Sequence, residues 1–329
     1  MNDNIVVADI GGTNARLACL HRGELTKFAT YPTRSIRNLN TLIANYLEEN
    51  SLNINACVFS VAGQVSQNGV RLTNVDLHVD ARQLKADFGL HSVRVLNDFE
   101  AIAWACTSPE ISDIRKIRHV NNHPKGNKLI VGPGTGLGIS AVLHADNSLP
   151  CIHRCEGGHI GHAPRNDFER EVFLNLAALW PETKFHTSDA LEAEALISGT
   201  GFPLLYRAVC TVLGVACVHR SAGAILREAS AIADGAAAVA SQVFKQHLGM
   251  LVTNLALVFN AQGGIFFAGG VARNNPWIFD EAFIALINGS SRYDDFFDGI
   301  NIVLLESDHI GLQGAAAYAG SNVLPRELI

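Results

Sequence analysis

Two segments of this chain share one plan, and that repeat limits the fold more than any other feature. Residues 5–20, IVVADIGGTNARLACL, read as a β-branched strand, a Gly-Gly turn and a second alternating strand. Residues 129–143, LIVGPGTGLGISAVL, read as an apolar strand, a glycine-rich turn with a threonine, and another apolar strand. Each turn gathers bare backbone N–H groups, because glycine has no Cβ to hold a ligand away. With 329 residues the chain has room for two domains, one around each hairpin.

Between the hairpins, 56–61 reads as a strand ending at Gly63, 69–79 as a hairpin arm and 81–89 as a short helix. A strand over 92–96 stops at Asn97-Asp98, and a helix follows over 99–106. Hairpins mixed with strand–helix units predict an α/β class that is not a pure doubly wound sheet. The second half is more helical. Asn166-Asp167-Phe168-Glu169 has the form of a capping box opening a helix to about Trp180, and Ser188 is expected to cap another through Ile197. Residues 221–259 are expected to hold two long helices broken near Asp234-Gly235. A buried strand over 265–268 leads to Gly269-Gly270, and Gly311 to Gly314 opens an Ala-rich final helix.

The first turn, Asp9-Ile10-Gly11-Gly12-Thr13-Asn14-Ala15-Arg16, offers N–H donors, a hydroxyl and a cation, the three group types a phosphate chain needs. Asp9 could help hold Mg²⁺, which uses one or two carboxylates beside phosphate oxygens and waters. The plainer reading is a tight hairpin with Arg16 in solvent. The second turn, Gly132-Pro133-Gly134-Thr135-Gly136-Leu137-Gly138, is no dinucleotide fingerprint, and the chain contains no P-loop motif. Two phosphate-sized hairpins are best explained by a nucleotide clamped between similar domains.

Asn97-Asp98 ends an apolar strand, where a carboxylate can accept a substrate hydroxyl's proton; it fits equally well as a helix cap. Glu156-Gly157-Gly158-His159 puts a carboxylate and an imidazole beside two glycines, an arrangement able to grip vicinal hydroxyls with close ligand approach. Cys151, His153, Cys155, His159 and His162 raise a zinc alternative, but their spacing fits the usual ligand plan poorly. Glu192 and Glu194, taken as helix residues two apart, point to different faces and cannot both meet a ligand. Glu194 by itself reads as a surface residue.

Taken in order, DIGGTNAR, LNDF, GPGTGLG, EGGHIGHAP, LISGTGFPLLYRA, FFAGG and GLQGAAAY resemble the bacterial ATP-dependent glucokinase family, within the sugar kinase/Hsp70/actin superfamily. The series runs from about residue 5 to 320, essentially the whole chain. The resemblance implies a two-domain actin-like ATPase fold, a duplicated ribonuclease H-like core with a cleft between domains. The smaller domain would comprise 1–110 plus 301–329 and the larger 111–300. It implies ATP phosphates at Ala8, Asp9, Ile10, Gly11, Gly12 and Thr13 and at Gly134-Thr135-Gly136, with Mg²⁺ on Asp9 through water. Adenosine would lie near Gly269-Gly270 and the helix after Gly311. Glucose would be held by Asn97, Asp98, Glu156, His159 and Glu194, with Asp98 as the base for the 6-hydroxyl. A homodimer is also implied.

Two departures stand out. Ala8 replaces a common glycine, and Gly161-His162 stand where the family commonly carries an acidic and an aromatic residue. They lie beside the sugar loop, so a kinase for another hexose or amino sugar is the nearer alternative. A non-catalytic sugar sensor is the other, although no DNA-binding helix-turn-helix precedes the first strand.

Charge and composition limit the partners. Lys and Arg total 25 against 31 Asp and Glu, a net charge of −6 with no basic block, so nucleic acid and anionic membranes are not expected partners. The greasiest stretch, 255–271, carries Asn260, Gln262 and four glycines, which argues against a membrane span. Seven scattered cysteines suit reduced thiols, and the first residues show no secretory leader. The expectation is a cytoplasmic protein.

Overall fold

Ile5–Ile10 (β1) is buried at Val6, Val7, Ala8 and Ile10, which marks a strand covered on both faces. In the computed structural model, which describes residues 4–321 apart from 64, 67–68, 72–77, 109–110, 122–123, 145–148, 187 and 289–290, this strand centres a first unit. That unit comprises Met1–Ser112 and Ser307–Ile329; Asp113–Glu306 form the second.

In the first unit β1 pairs antiparallel with Asn14–His21 (β2), and β2 with Glu24–Pro32 (β3). On its other edge β1 runs parallel to Ala56–Val61 (β4). Val65–Ser66 (β5), Gly69–Arg71 (β6) and His78–Asp80 (β7) form a small ladder of their own. Ser92–Asn97 (β8) completes the main sheet in the order β3-β2-β1-β4-β8. Three helices accompany it: Leu39–Glu49 (α1), Ala81–Asp87 (α2) and Asp98–Ala105 (α3). Each starts at a short polar side chain, Asn38, Asp80 and Asn97, that accepts first-turn amides. The C-terminal helix, Ile310–Gly320, packs on α3 so closely that a Cβ on Gly314 would meet the Ala101 carbonyl oxygen at 1.8 Å.

The second unit contains Ile114–Arg118 (β9), Lys128–Pro133 (β10), Leu137–Leu143 (β11), Cys151–Cys155 (β12), Ile265–Phe267 (β15) and Ile302–Leu305 (β16). Gly161–His162 (β13) and Leu191–Glu192 (β14) form a separate two-residue ladder. The main sheet has the order β12-β11-β10-β15-β16-β9. Its first five strands repeat the plan of the first unit: an antiparallel hairpin, a third antiparallel strand, then two parallel neighbours. The internal repeat seen in the sequence is therefore a repeat of topology. Residues 302–305, grouped by the sequence boundary at 301 with the first unit, lie in the second, where β16 pairs with β15 and β9.

Helices of this unit are Asp167–Leu179 (α4), Ala193–Ile197 (α5), Phe202–Leu213 (α6), Ala222–Ala231 (α7), Ala236–Phe259 (α8), Gly270–Asn274 (α9), Glu281–Ile287 (α10) and Asp294–Asp298 (α11). The C-terminal helix is α12. The break between α7 and α8 falls where expected, at Gly235 with φ +103°. The helix expected from Ser188 is corrected: its hydroxyl is spent on Phe185 and Ala190 in a turn, 191–192 are strand, and only α5 is helical. Phe173, Phe202, Tyr206, Phe244 and Phe267 lie in the core of this unit, each fully buried apolar side chain contributing about 1.5–3 kcal/mol against exposure. Among the described residues no helix is long and apolar enough to cross a membrane.

Candidate active site

Asp9, near the end of β1, sits opposite Arg16 on β2 with 4.0 Å between carboxylate and guanidinium. The Ser60 hydroxyl on β4 donates to Asp9 Oδ1 at 2.9 Å. Burial raises the Asp9 carboxyl above its ordinary range, and the Ser60 hydrogen bond and Arg16 oppose that only in part. A Cβ on Gly311, the second residue of α12, would lie 2.4–2.7 Å from the Asp9 carboxylate, so only glycine lets this helix start there. The turn itself closes through Gly11 N–H to the Asn14 carbonyl at 3.0 Å, while Thr33 Oγ1 donates to the Gly11 carbonyl at 2.7 Å. Gly12 and Thr13 form its exposed tip. Of the run 8–13, Ala8 and Ile10 are fully buried and present no side chain to a ligand.

Asn97 is the cap of α3, and Asp98 is its first residue. Asn97 Oδ1 accepts from the Phe99 and Glu100 amides at 2.9 and 3.3 Å, and the Glu100 carboxylate accepts from the Asn97 amide, a complete capping box. Asn97 Nδ2 donates to the Gly63 carbonyl at 3.0 Å, and the same side chain donates to the Asp98 carboxylate. Asp98 is thus spared the capping duty. Its carboxyl is pushed up to about 6, first by burial and further by the Asp9 charge, against the Phe99 amide that donates to it at 3.0 Å.

In the second unit the turn after β10 is closed by Gly134 N–H to the Gly136 carbonyl at 2.9 Å. Gly199 N–H donates to the Gly134 carbonyl at 2.8 Å, and both the amide and the hydroxyl of Thr200 donate to the Thr135 carbonyl. A Cβ on Gly134 would lie 3.9 Å from the Gly270 nitrogen, and one on Gly269 would strike the Pro133 carbonyl at 2.5 Å. Segments 134–136, 199–200 and 269–270 therefore form one surface of bare backbone, the form of cradle a phosphate chain takes.

Next to it, Glu194 on α5 accepts from the Leu137 amide through Oε2 at 2.9 Å. His159 donates from Nδ1 to Glu192 Oε2 at 2.7 Å. That hydrogen bond is the main reason the His159 imidazole is raised above its ordinary value, with Glu194 and Glu156 adding negative charge. One imidazole thus stands among three carboxylates. Two expectations are corrected here. Glu192 lies in β14 while Glu194 opens α5, so the helix-face argument that separated them does not hold. Gly157 and Gly158 are buried against β11, where a Cβ would meet Ile139 Cδ1 at 2.9 Å and the Leu137 carbonyl oxygen at 2.3 Å. They serve packing of the loop rather than ligand approach.

The zinc alternative loses its ligands to other partners. His153 lies on the Phe259 ring, Cys155 Sγ donates to the Ile139 carbonyl, His159 is held by Glu192 and His162 by His247. Among the described residues no three His, Cys, Asp or Glu side chains gather as a metal set. Asp9 nonetheless suits Mg²⁺ at a phosphate: it is an oxygen donor with one oxygen held by Ser60, beside a turn with an open tip. Sequence reasoning missed Ser60 and Thr200, and it weighed Glu192 only as a helix residue. Ser60 carries the one signal open to a reader, a hydroxyl in an otherwise apolar strand, ACVFSV.

A sequence model of the glucokinase family matches residues 6–322. A glucokinase of Sinorhizobium medicae is 30% identical over 319 residues, covering 96% of this chain and 91% of the relative. The crystal structure of a glucokinase from an Antarctic psychrotroph superposes with a TM-score of 0.84 at 27% identity, covering 97% of this chain and 99% of that one. A ROK family glucokinase from Streptomyces griseus, solved with glucose and AMPPNP, superposes at 0.59 with 17% identity, covering 96% and 98%, and shares the fold.

Proposed function

The chain belongs to the glucokinase family, and on that premise we propose how its residues divide the reaction. The enzyme transfers a phosphoryl group from ATP to glucose, on the actin-like ATPase fold with its duplicated ribonuclease H-like core. The acceptor is the 6-hydroxyl and the products are glucose 6-phosphate and ADP. Asp98 accepts the hydroxyl proton as the oxygen attacks the γ-phosphorus. A carboxyl displaced to about 6 is largely ionised at neutral pH, yet basic enough to take that proton. The observation that carries the assignment is geometric: Asp98 opens α3 at the end of β8 while Asn97 does the capping.

Asn97 lies at the sugar and steadies the Asp98 carboxylate with a side-chain hydrogen bond, and Glu156, His159 and Glu194 hold the other hydroxyls. A site made to pair hydroxyls rejects analogues lacking them. Gly12 and Thr13 on one turn and Thr135 and Gly136 on the other meet the phosphates through their backbone, while Gly11 and Gly134 close those turns and Ala8 and Ile10 fix β1. Asp9 holds Mg²⁺ through water, and the ion neutralises phosphate charge. Gly269 and Gly270 meet the adenosine end. On the family resemblance, the enzyme works as a homodimer in the cytoplasm.

The test is ADP and sugar-phosphate formation with glucose, mannose, fructose and N-acetylglucosamine as acceptors. Glucose is expected to give the highest kcat/KM and a 6-phosphate product. A different preferred sugar, or phosphate at another carbon, would reassign the site.

A further inference from the structure

The sugar loop ends on β13, which is two residues long and pairs only Gly161 with Glu192 and His162 with Leu191. So short a ladder specifies its register weakly. Gly161 has no side chain to anchor it. His162 does, and its ring is buried at 2% exposure. His162 Nδ1 lies 3.1 Å from His247 Nδ1 on α8, and His247 Nε2 lies 3.3 Å from Glu169 Oε2 on α4. Glu169 is gripped in turn by the Arg165 amide at 2.9 Å and the Arg165 guanidinium at 3.0 Å. The Phe173 ring packs against His247.

An ionised Glu169 only accepts, so His247 donates from Nε2, and its Nδ1 pairs with His162 Nδ1, one ring donating and the other accepting. Burial alone would raise the Glu169 carboxyl, but the hydrogen bonds from His247 and Arg165 outweigh it and pull it to about 2. Burial and the neighbouring His247 lower the His162 imidazole to about 4, which keeps it neutral. Hydrocarbon could fill the same space; what a satisfied polar chain adds is one fixed geometry.

We propose that His162, His247 and Glu169 are positioning residues that hold β13 in register, and so set the spacing of His159 and Glu192 for the sugar. The next residue along the partner strand repeats the coupling, since the Ala193 amide donates to the Ile160 carbonyl at 2.9 Å. This inference rests on the reading of Glu156 and His159 as sugar-binding groups.

The experiment measures KM for glucose and for ATP, kcat and Tm in the full-length enzyme for His247→Leu, His247→Gln, His162→Phe and His159→Ala. His247→Leu leaves the buried His162 Nδ1 without its partner and is expected to raise glucose KM about tenfold, with ATP KM and kcat within about twofold. His247→Gln, which still pairs with His162 and donates to Glu169, is expected to return glucose KM to within about threefold of the parent. Should His247→Leu fail to fold, His162→Phe reads the same quantity, because it keeps the ring's bulk and removes the hydrogen-bonding nitrogen. An unchanged glucose KM in the folded variants overturns the proposal. So does an equal rise for both substrates that follows the loss of Tm, or a Gln variant as impaired as Leu. An unchanged glucose KM in His159→Ala overturns the sugar-site reading itself, and the proposal with it.

Discussion

Glu194 Oε2 accepts the Leu137 amide at 2.9 Å, so the carboxylate proposed to hold the sugar is tied to the second glycine turn. Gly136 is the residue that permits this, since a Cβ there would lie 2.7 Å from Glu194 Oε2. Gly136→Ala is expected to displace Glu194 and raise KM for glucose as well as for ATP, although Gly136 is assigned only to phosphate. Steady-state kinetics with each substrate varied in turn checks this. A rise confined to ATP would detach Glu194 from the sugar.

Gly311 has the same relation to Asp9. Gly311→Ala puts a methyl group against the Asp9 carboxylate and is expected to lower kcat/KM for MgATP about tenfold or more, with glucose KM little changed. Gly314→Ala, three residues on, meets the Ala101 carbonyl instead and is expected to lower Tm by several degrees, as overpacking costs of about 1–3 kcal/mol do. Kinetics and melting curves on the two variants separate the effects.

His159 gives a pH dependence. Its imidazole is raised above 6.5, chiefly by the hydrogen bond to Glu192, so the protonated ring is the favoured form in the fold. The associated stability is fully present below the unfolded value and is lost as pH rises through the folded one. A charged ring donates to a sugar hydroxyl more strongly than a neutral one. Glucose KM is therefore expected to rise as pH passes the elevated value, and in Glu192→Gln the rise should come at lower pH. Glucose KM measured from about pH 5.5 to 9 reads this directly.

Asp98 gives the same sign for stability, in a lower pH window. Its carboxyl stands at about 6 against an ordinary 3.8, so the fold favours the neutral acid. The stability this brings is present below about 3.8 and is lost as pH rises through about 6. Asp98→Asn, always neutral, is expected to melt above the parent protein at about pH 8, with the gap closing near pH 4. Activity of the parent should fall as pH drops through about 6, because the base becomes protonated. Melting curves at the two extremes and a kcat/KM profile check both signs.

Much of this was legible in the sequence, and the reasons are local. The hairpin repeat, the Asn166 cap and the Gly235 break are each decided within a few residues, by glycine freedom or a capping side chain, whereas the cap expected at Asp98 falls one residue earlier, on Asn97. The Glu192–Glu194 relation was not, because a two-residue strand pairing across thirty-one positions leaves no periodicity to read, from Gly161 to Glu192. Gly157 and Gly158 misled for a related reason: glycine signals a close approach without saying to what, and here the neighbour is β11. At Asn97-Asp98 the cap is Asn97, whose side chain faces the helix amides, which leaves the Asp98 carboxylate free of that duty.

The most direct test is the rate of phosphoryl transfer to glucose in a single turnover for Asp98→Asn, with glucose binding measured beside it. The account predicts a fall of about 10²–10⁴ in rate with glucose binding retained within about threefold. A rate close to that of the unaltered enzyme would contradict it.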